Sequence, residues 1–372
     1  MKTRILWAVV AAALAAACGG GSSGGADGGG VAGTGGGGGT GGTGGTAGTE
    51  APAFTDIGWT AAAGTLPDAI DHHVSFAATS ARGTHLYVLG GVEDRARFHD
   101  ESWMASVGAD GTLGAWTEIA PIPDAVGGHT VALVGNRVYV VGGRDRTLAN
   151  LPDVYVGQIG DDGTIASWEG VRTLPGGRFH SAAVVNGRWI YVVGGIEDAD
   201  AIDTILRAEL LDDGSLGPWE TAGKLPAPRS HHAAVAHDGS LYVLGGLDGD
   251  PMRGTDTSHA DVWRAKLGDD GSIGAWETLE SLPNRLSATA AVAVGGSLFA
   301  VGGIEGRAYY SEHVRRAEIR ADGTLGPWTQ AGDLPIGRAH VHQLPLVGDR
   351  LFSLGGSTSG GSTDIVVTGT LR

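Results

Sequence analysis

Short apolar segments alternate with turn residues along most of the chain, and no part of this pattern has the period of an amphipathic helix. One unit shows the pattern clearly. A strand of small residues over 180–185 is followed by an apolar strand over 189–193 that ends in Gly194-Gly195. A third strand follows over 205–210, and a fourth surrounds Trp219. Short strands separated by turn signals about every ten residues predict an all-β protein.

This four-strand unit recurs six times. Each copy has a glycine pair after an apolar strand, a tryptophan in its last strand, and a proline after that strand. The glycine pairs begin at Gly90, Gly142, Gly194, Gly245, Gly302 and Gly355, the tryptophans are Trp59, Trp116, Trp168, Trp219, Trp276 and Trp328, and the prolines are Pro67, Pro123, Pro175, Pro226, Pro283 and Pro335. Three markers in phase about every fifty residues predict a repeat architecture and not a two-domain enzyme.

Six four-stranded units predict a β-propeller, in which each sheet buries both faces against its neighbours. The units resemble kelch repeats, which have Gly-Gly after an apolar strand and an aromatic residue in the third strand. Trp103, Tyr155 and Trp263 supply that aromatic residue here, whereas Leu206 and Arg315 replace it in two copies. The resemblance implies a six-bladed kelch-type β-propeller.

The two ends of the repeat region do not match. It begins with a lone strand around Trp59 and finishes at Arg372 after three strands. The N-terminal strand is therefore expected to close the last blade as its outer strand, which gives a propeller domain over residues 51–372.

The first fifty residues have a different composition. Lys2 and Arg4 precede an apolar run over 5–17, which suits the core of a signal peptide and is too short to span a bilayer. Small residues precede Cys18, and this end resembles the lipobox of bacterial lipoproteins, in which cleavage makes the cysteine N-terminal and lipid is attached to it. An ordinary secretory peptide with an incidental cysteine is the alternative.

The resemblance implies a signal peptide with its lipobox cysteine over residues 1–18 and lipidation at Cys18. It also implies an outer-membrane or cell-surface location in a Gram-negative bacterium, with the periplasmic face left open. Residues 19–50 are Gly with Ser, Thr and Ala and predict a disordered linker. Contact with the membrane is then expected through the lipid anchor only.

Composition narrows the choice of partner. The chain has 372 residues, is 42% hydrophobic, and so has enough apolar residues for a core. Its single cysteine excludes a disulfide scaffold and a cysteine-rich zinc module. A formal charge of −16 argues against nucleic acid as a partner. We expect a monomer without a cofactor.

Because adjacent strands alternate in direction, the loops after Gly-Gly and the loops after the prolines open on one side, here called the loop face. Candidate ligand-binding residues on the loop face are Arg144, Arg146, Arg178, His180, Arg229, His231, Arg285, Arg338 and His340. A guanidinium group can form two parallel hydrogen bonds to a carboxylate or a phosphate. Since arginine recurs after the proline in four units, structural Arg–carboxylate pairs between blades are the alternative.

Metal binding and catalysis have weaker support. His340 and His342 are two residues apart in a predicted strand and would face the same way, but no carboxylate is paired with them locally. We expect no metal site. No nucleophile motif or phosphate-binding loop is present in the sequence, so no catalytic residue is assigned.

These features predict a non-catalytic binding module that recognises a protein or a glycan through the loop face. Two alternatives remain open. One is an enzyme that acts on an acidic sugar, similar to the bacterial kelch-type mutarotases of sialic acid. The other is a structural or assembly protein of the cell envelope.

Overall fold

The computed structural model describes residues 54–249, 254 and 257–372. The predicted signal peptide, Cys18 and the linker over 19–50 lie outside these residues. Every regular element of the described part is a β-strand. Within it, no helix is long and apolar enough to cross a bilayer.

The strands form six antiparallel four-stranded sheets, here blades 1 to 6 in chain order. Blade 1 contains Val74–Ser80, Gly83–Glu93, Arg97–Ser106 and Thr117–Ile119; blade 2 contains Thr130–Val134, Arg137–Val141, Val154–Ile159 and Ile165–Gly170; blade 3 contains Ala182–Asn186, Trp189–Val193, Thr204–Glu209 and Glu220–Lys224; blade 4 contains Ala233–His237, Ser240–Leu244, Val262–Lys266 and Glu277–Thr278; blade 5 contains Ala290–Val294, Ser297–Val301, His313–Glu318 and Thr329–Asp333; and blade 6 contains Leu346–Val347, Arg350–Leu354, Ile365–Leu371 and Ile57–Thr65. The first strands of blades 1 to 5 contact one another in sequence, and the first strand of blade 6 contacts that of blade 1. The first strands therefore surround a central axis.

Eleven short strands add small hairpins and bridges on the loop face. They are Val126–Gly127 with Arg144–Asp145, Ile196–Glu197 with Asp200–Ala201, Leu247–Asp248 with Thr257–Ser258, Leu286–Ser287 with Ile304–Glu305 and Tyr309–Tyr310, and Ser357–Thr358 with Gly361–Ser362. These pairs tie the loops that follow the glycine pairs to one another and to the next blade.

The N-terminal strand closes the ring. Ile57 lies opposite Leu371 in an antiparallel pair. The backbone amide of Thr55 donates to the carbonyl oxygen of Arg372 at 2.8 Å, and the amide of Arg372 donates to Asp56 at 2.9 Å. This pairing agrees with the expected completion of the last blade by the strand around Trp59.

The hydrophobic core is divided among the contacts between blades. Each of six buried clusters draws its side chains from two neighbouring blades. Phe76 and Tyr87 of blade 1, for example, pack with Val131 and Val140 of blade 2. Second strands such as Trp189–Val193 are apolar throughout because both faces of the sheet are covered.

The glycine pairs connect each blade to the next. Gly194 and Gly195 have φ values of 53° and 103°, in the region that favours glycine. A Cβ atom on Gly194 would lie 2.5 Å from the carbonyl oxygen of Arg229 in blade 4. The amide of Gly195 donates to that same oxygen at 2.8 Å, and Gly246 donates to Leu286 of blade 5 in the same way. Close approach and positive φ together explain why both positions are glycine.

The repeated tryptophans also join blades. The Trp219 indole Nε1 of blade 3 donates to the carbonyl oxygen of Arg172, after the last strand of blade 2, at 3.0 Å. Equivalent bonds join Trp168 to Ala120, Trp276 to Lys224 and Trp328 to Glu280. The tryptophan marker therefore reflects contacts between blades as well as packing.

Candidate functional site

Six equivalent residues form a closed ring around the axis on the loop face, at the fifth position after each repeated proline. They are His72, Gly128, His180, His231, Ala288 and His340. The backbone amide of each donates to the carbonyl oxygen of the preceding member, at 2.7–3.2 Å, and the amide of the first donates to the carbonyl of the last. All six have φ between 51° and 65°. We call this set the axial ring.

A left-handed backbone at a residue other than glycine costs of order 1–3 kcal/mol. The five non-glycine members of the axial ring adopt it together because each one places an amide on the carbonyl of the preceding blade. The ring thus holds its side chains at fixed places around the axis.

Four of these side chains are imidazoles in mutual contact. His72 and His340 stack with ring centroids 3.9 Å apart, and His180 and His231 stack with centroids 3.6 Å apart. The two stacks meet where His72 and His180 approach to 4.9 Å. His342 lies beside them, with its centroid 5.7 Å from that of His180.

Neighbouring side chains hold three of the four imidazoles by their Nδ1 atoms. The carboxylate of Asp71 contacts Nδ1 of His72. The hydroxyl of Ser230 lies 3.1 Å from Nδ1 of His231, and the hydroxyl of Ser357 lies 2.7 Å from Nδ1 of His340. Nδ1 of His180 is buried and has no hydrogen-bond partner among the described residues.

Burial sets the protonation of this cluster. It lowers the pKa of His180, His340 and His342 well below the ordinary value, and repulsion from neighbouring imidazoles lowers it further. The same causes lower the pKa of His231 to about 3. Burial alone would raise the pKa of Asp71, but the adjacent His72 and a hydrogen bond from Ser362 outweigh it and leave that pKa below its usual value. At neutral pH, His180, His231, His340 and His342 are therefore neutral and lie near the ionised carboxylate of Asp71.

A cavity of about 280 Å³ opens beside the axial ring. We call it the mouth cavity. Most of its lining residues are of polar types, and they come from blades 5, 6 and 1: Asp71, His72, Asp94, Arg95, Tyr310, His340, Ser357, Thr358, Ser359, Gly361 and Ser362. It brings the Asp71–His72 pair to one wall, in reach of a small polar group.

Three of the arginines predicted to bind a ligand are buried in the wall of the propeller. Arg178, Arg229 and Arg338 are 1–2% exposed. Arg338 donates to the carbonyl oxygens of Gly355 and Ile365, both at 2.9 Å. Arg229 donates to the carboxylate of Asp261 at 2.6 Å. Arg178 lies 3.4 Å from two carbonyl oxygens and 3.7 Å from a carboxylate oxygen of Glu197. Arg178 and Arg229 thus face a carboxylate of the blade that follows each of them, and Arg338 faces backbone carbonyls, in contrast to the expected Arg–carboxylate pairs between blades. All three guanidinium groups are engaged inside the propeller.

The other predicted arginines lie nearer the surface. Arg144 is half-buried, with its guanidinium 4.2 Å from the centre of the Phe179 ring. Arg146 and Arg285 are exposed. Arg285 is the second residue after its proline, whereas the buried arginines are the third, and Leu286 fills the buried position in that blade.

The predicted histidines meet as a group that the sequence did not reveal. His180, His231 and His340 were expected on the loop face, but their convergence with His72 depends on the closed ring. His340 and His342 lie outside the strands and both have positive φ, in contrast to the expected strand placement. A carboxylate also lies close by, since Asp71 contacts the stacked neighbour of His340. The shared offset from the proline was the available sequence signal.

Two overlapping parts of the chain, residues 56–246 and 128–356, match the KLHDC2/KLHL20/DRC7 Kelch-repeats domain. Together these matches extend over most of the chain.

Curated relatives are similar over parts of their length. Kelch-like protein terF of Aspergillus terreus is 25% identical over 298 residues, which cover 77% of this chain and 61% of that protein. Kelch-like protein 40 of Mus musculus is 30% identical over 184 residues, which cover 48% of this chain and 28% of that protein. The chain thus spans less than two thirds of the length of either relative. Among solved structures, the "Structure of YjhT" aligns with a TM-score of 0.63 and 17% identity, covering 82% of this chain and 95% of that one. That likeness concerns the fold.

Proposed function

Because this chain belongs to the kelch-repeat family, we propose that it is a binding module that recognises a protein partner through the loop face. We also propose that a lipid on Cys18 holds the module at the outer membrane of a bacterium. A glycan ligand and a purely structural role in the envelope are the other outcomes that the experiments below distinguish.

Exposed anchors on the loop face carry this proposal. Leu148, Tyr309 and Ile336 are 54%, 48% and 38% exposed and lie in loops that open on this face. Tyrosine, as at Tyr309, is enriched among the residues that supply most of the binding energy of protein interfaces. They are three of the five exposed large hydrophobic side chains in the described part of the chain.

Exposed cations on the same face favour an acidic partner surface. Arg95, Arg146, Arg285 and Arg307 are exposed, and none makes an ion pair with another described residue. Arginine is enriched in protein interfaces because its planar group can bond a carboxylate at two points. A partner segment with carboxylates around an aliphatic or aromatic side chain would match this arrangement.

The experiment compares capture by the wild type with capture by two loop-face variants, one carrying Arg146→Ala with Arg285→Ala and one carrying Leu148→Ser with Tyr309→Ser. Both should reduce capture of the same envelope protein about tenfold or more, a change of about 1.4 kcal/mol. The melting temperature should hold because these side chains are exposed. Arg82→Ala is the matched control, since Arg82 is exposed in the turn between the first two strands of blade 1, on the opposite face.

Equal capture by all variants would refute the proposed face. If the wild type binds an immobilised glycan and no envelope protein, and the loop-face variants lose that binding, the ligand is a glycan. A knock-out that weakens the envelope while every loop-face variant complements it would favour the structural role.

The proposed anchor has its own test. Wild-type cells labelled with a radioactive fatty acid should yield labelled protein in the membrane fraction, and Cys18→Ala should remove both the label and the membrane association. Membrane association that survives Cys18→Ala would refute a lipid anchor at this position.

The mouth cavity favours one second candidate, an enzyme acting on a small acidic sugar. Arg95 and the Asp71–His72 pair line the same cavity. An arginine would hold the carboxylate of the sugar, and an imidazole oriented by a carboxylate is a suitable general base. Mutarotation of an acidic sugar, followed by NMR, should then be faster than in buffer and slower with Asp71→Asn; a rate equal to that in buffer would exclude this activity.

A further inference from the structure

We propose that His72, His180 and His231 of the axial ring bind one divalent late first-row transition-metal ion, with Zn²⁺ and Cu²⁺ as the test cases. The proposal concerns the axis itself and is independent of the protein-binding role of the loop face. It differs from the sequence-based expectation of no metal site.

Distance is the first support. The potential ligand nitrogens of these three residues all lie within 4.8 Å of one another. In a tetrahedral zinc site with Zn–N bonds of about 2.0–2.1 Å, neighbouring nitrogens are about 3.3 Å apart. Rotation of the imidazoles closes this difference. His180 and His231, which stack with centroids 3.6 Å apart, must turn out of their stack so that a nitrogen of each points at the ion, while the hydrogen-bonded ring keeps their Cα atoms in place.

Orientation is the second support. A metal-bound histidine usually gives its other ring nitrogen to a carboxylate, a carbonyl or a hydroxyl, which fixes the ring and its tautomer. Asp71 does this for His72 and Ser230 does it for His231, both through Nδ1. Their Nε2 atoms make no hydrogen bond to a described residue and are left as ligands.

His180 has an unpartnered ring nitrogen, as His73, His129 and His232 also have, but among these it is the one that belongs to the described cluster whose ligand atoms lie within 4.8 Å of one another. It is buried, and its Nδ1 has no partner. An unsatisfied buried polar atom is costly and uncommon in native proteins. Coordination through Nδ1 would remove that cost, because the ion then takes the place of the missing partner.

The ligand set selects the class of ion. Three imidazole ligands suit zinc, copper and nickel, whereas calcium and magnesium require several oxygen ligands. His72 and His340 also line the mouth cavity. A three-histidine site next to this cavity would leave a coordination position to water or to an added anion.

The test uses the purified protein without a polyhistidine tag, stripped with a chelator and titrated with Zn²⁺ by calorimetry. The wild type should bind about one equivalent, and Zn²⁺ should raise its melting temperature because the ion binds the folded state. Loss of a residue that only orients a metal ligand weakens metal binding about 10–100-fold. His180→Asn and His231→Asn each remove a ligand and should weaken Zn²⁺ binding by more than this. Asparagine suits these positions because it tolerates positive φ.

Two further variants separate the site from the rest of the protein. Asp71→Asn should weaken binding about tenfold, as the loss of an orienting carboxylate does. His313→Asn should leave binding unchanged, because His313 lies in the third strand of blade 5, paired with Asp333 away from the axis. Circular dichroism of each variant without metal checks its fold.

Wild-type protein that binds no Zn²⁺, or binding that folded His180→Asn and His231→Asn retain, would overturn the proposal. If these variants do not fold, Cu²⁺ electron paramagnetic resonance of the wild type replaces them. Splitting from about three imidazole nitrogens is expected there, and a spectrum with oxygen ligands only would overturn the proposal.

Discussion

At the scale of single residues, the chain uses arginine in two different ways at neighbouring positions. Arg338, the third residue after its proline, donates to backbone carbonyls inside blade 6, and burial lowers its pKa to about 10. Arg285, the second residue after its proline, is exposed. A difference of one residue in the distance from the proline therefore decides whether the guanidinium group is buried in the fold or exposed to a partner.

Arg338→Ala should destabilise the fold by about 3 kcal/mol, since the carbonyls of Gly355 and Ile365 lose their donor in a buried place. Urea denaturation measures the change. Arg285→Ala is the control and should change the free energy of unfolding by less than about 0.5 kcal/mol. A fully stable Arg338→Ala variant would contradict the structural role.

Buried histidines that are not members of the axial ring also make stability depend on pH. Burial, with repulsion from His73, lowers the pKa of His129 to about 3. In the unfolded chain a histidine has a pKa of about 6.5, so the unfolded state binds the proton more readily between these values. The contribution of neutral His129 to the free energy of unfolding is fully present above pH 6.5 and is lost as the pH falls toward 3.

From pH 7 to pH 5, His129 alone should lower the free energy of unfolding by about 2 kcal/mol, at 1.36 kcal/mol for each pH unit below 6.5. His129→Gln cannot take up that proton, so its stability should fall less over the same range. Denaturant unfolding at both pH values compares the two proteins. Identical pH dependence in the two would contradict the low pKa.

At the scale of the elements, the same few contacts recur between neighbouring blades. After the second strand of blades 2 to 6, the amide of the second glycine donates to a carbonyl oxygen before the first strand of the next blade. The tryptophan at the fourth strand of blades 2 to 5 donates to a carbonyl oxygen of the preceding blade. Because most blades repeat both contacts, both residue types recur in the sequence, and the repeat could be read from them.

Trp219→Phe should cost about 1 kcal/mol more than Trp116→Phe. The two tryptophans hold equivalent places in blades 3 and 1, but only Trp219 donates to a carbonyl of a described residue, that of Arg172. Phenylalanine keeps most of the packing and removes the indole donor, so the extra loss at Trp219 reports the hydrogen bond together with the deeper burial of that side chain. Equal losses of stability by chemical denaturation would show that the bond adds nothing.

The fold was predictable to a large extent and the axial site was not. Gly194-Gly195 and Trp219 mark local requirements that every copy repeats, so the sequence shows them directly. His72 and His180 are far apart in the chain and meet only when the ring closes. The exposure of the arginine side chains could not be predicted from the sequence either, since Arg285 and Arg338 differ only by one position relative to the proline.

At the scale of the whole molecule, closure of the ring depends on one strand taken from the other end of the chain. Ile57–Thr65 covers Ile365–Leu371 and also contacts the last strand of blade 5. Every blade then has two neighbours, and the core clusters form an unbroken series.

Deletion of residues 51–66 should uncover the edge of Ile365–Leu371 and part of the cluster around Phe299 and Leu351. An unpaired edge next to exposed apolar surface promotes association, so size-exclusion chromatography with light scattering should show aggregates. Deletion of residues 19–50 is the control and should leave a monomer. A soluble monomer with an unchanged melting temperature after the first deletion would refute the closure argument.

The axial ring has a symmetry lower than that of the blades that build it. Gly128 and Ala288 hold opposite places in the six-membered axial ring. The four histidines therefore divide into two stacks that are related by an approximate two-fold axis. This operation maps His72, His180 and His231 onto His231, His340 and His72. The stacks lie 4.9 Å apart beside Gly128 and 5.7 Å apart beside Ala288. Two related places for a ligand on the axis thus differ in width, and the wider one lies beside the methyl group of Ala288.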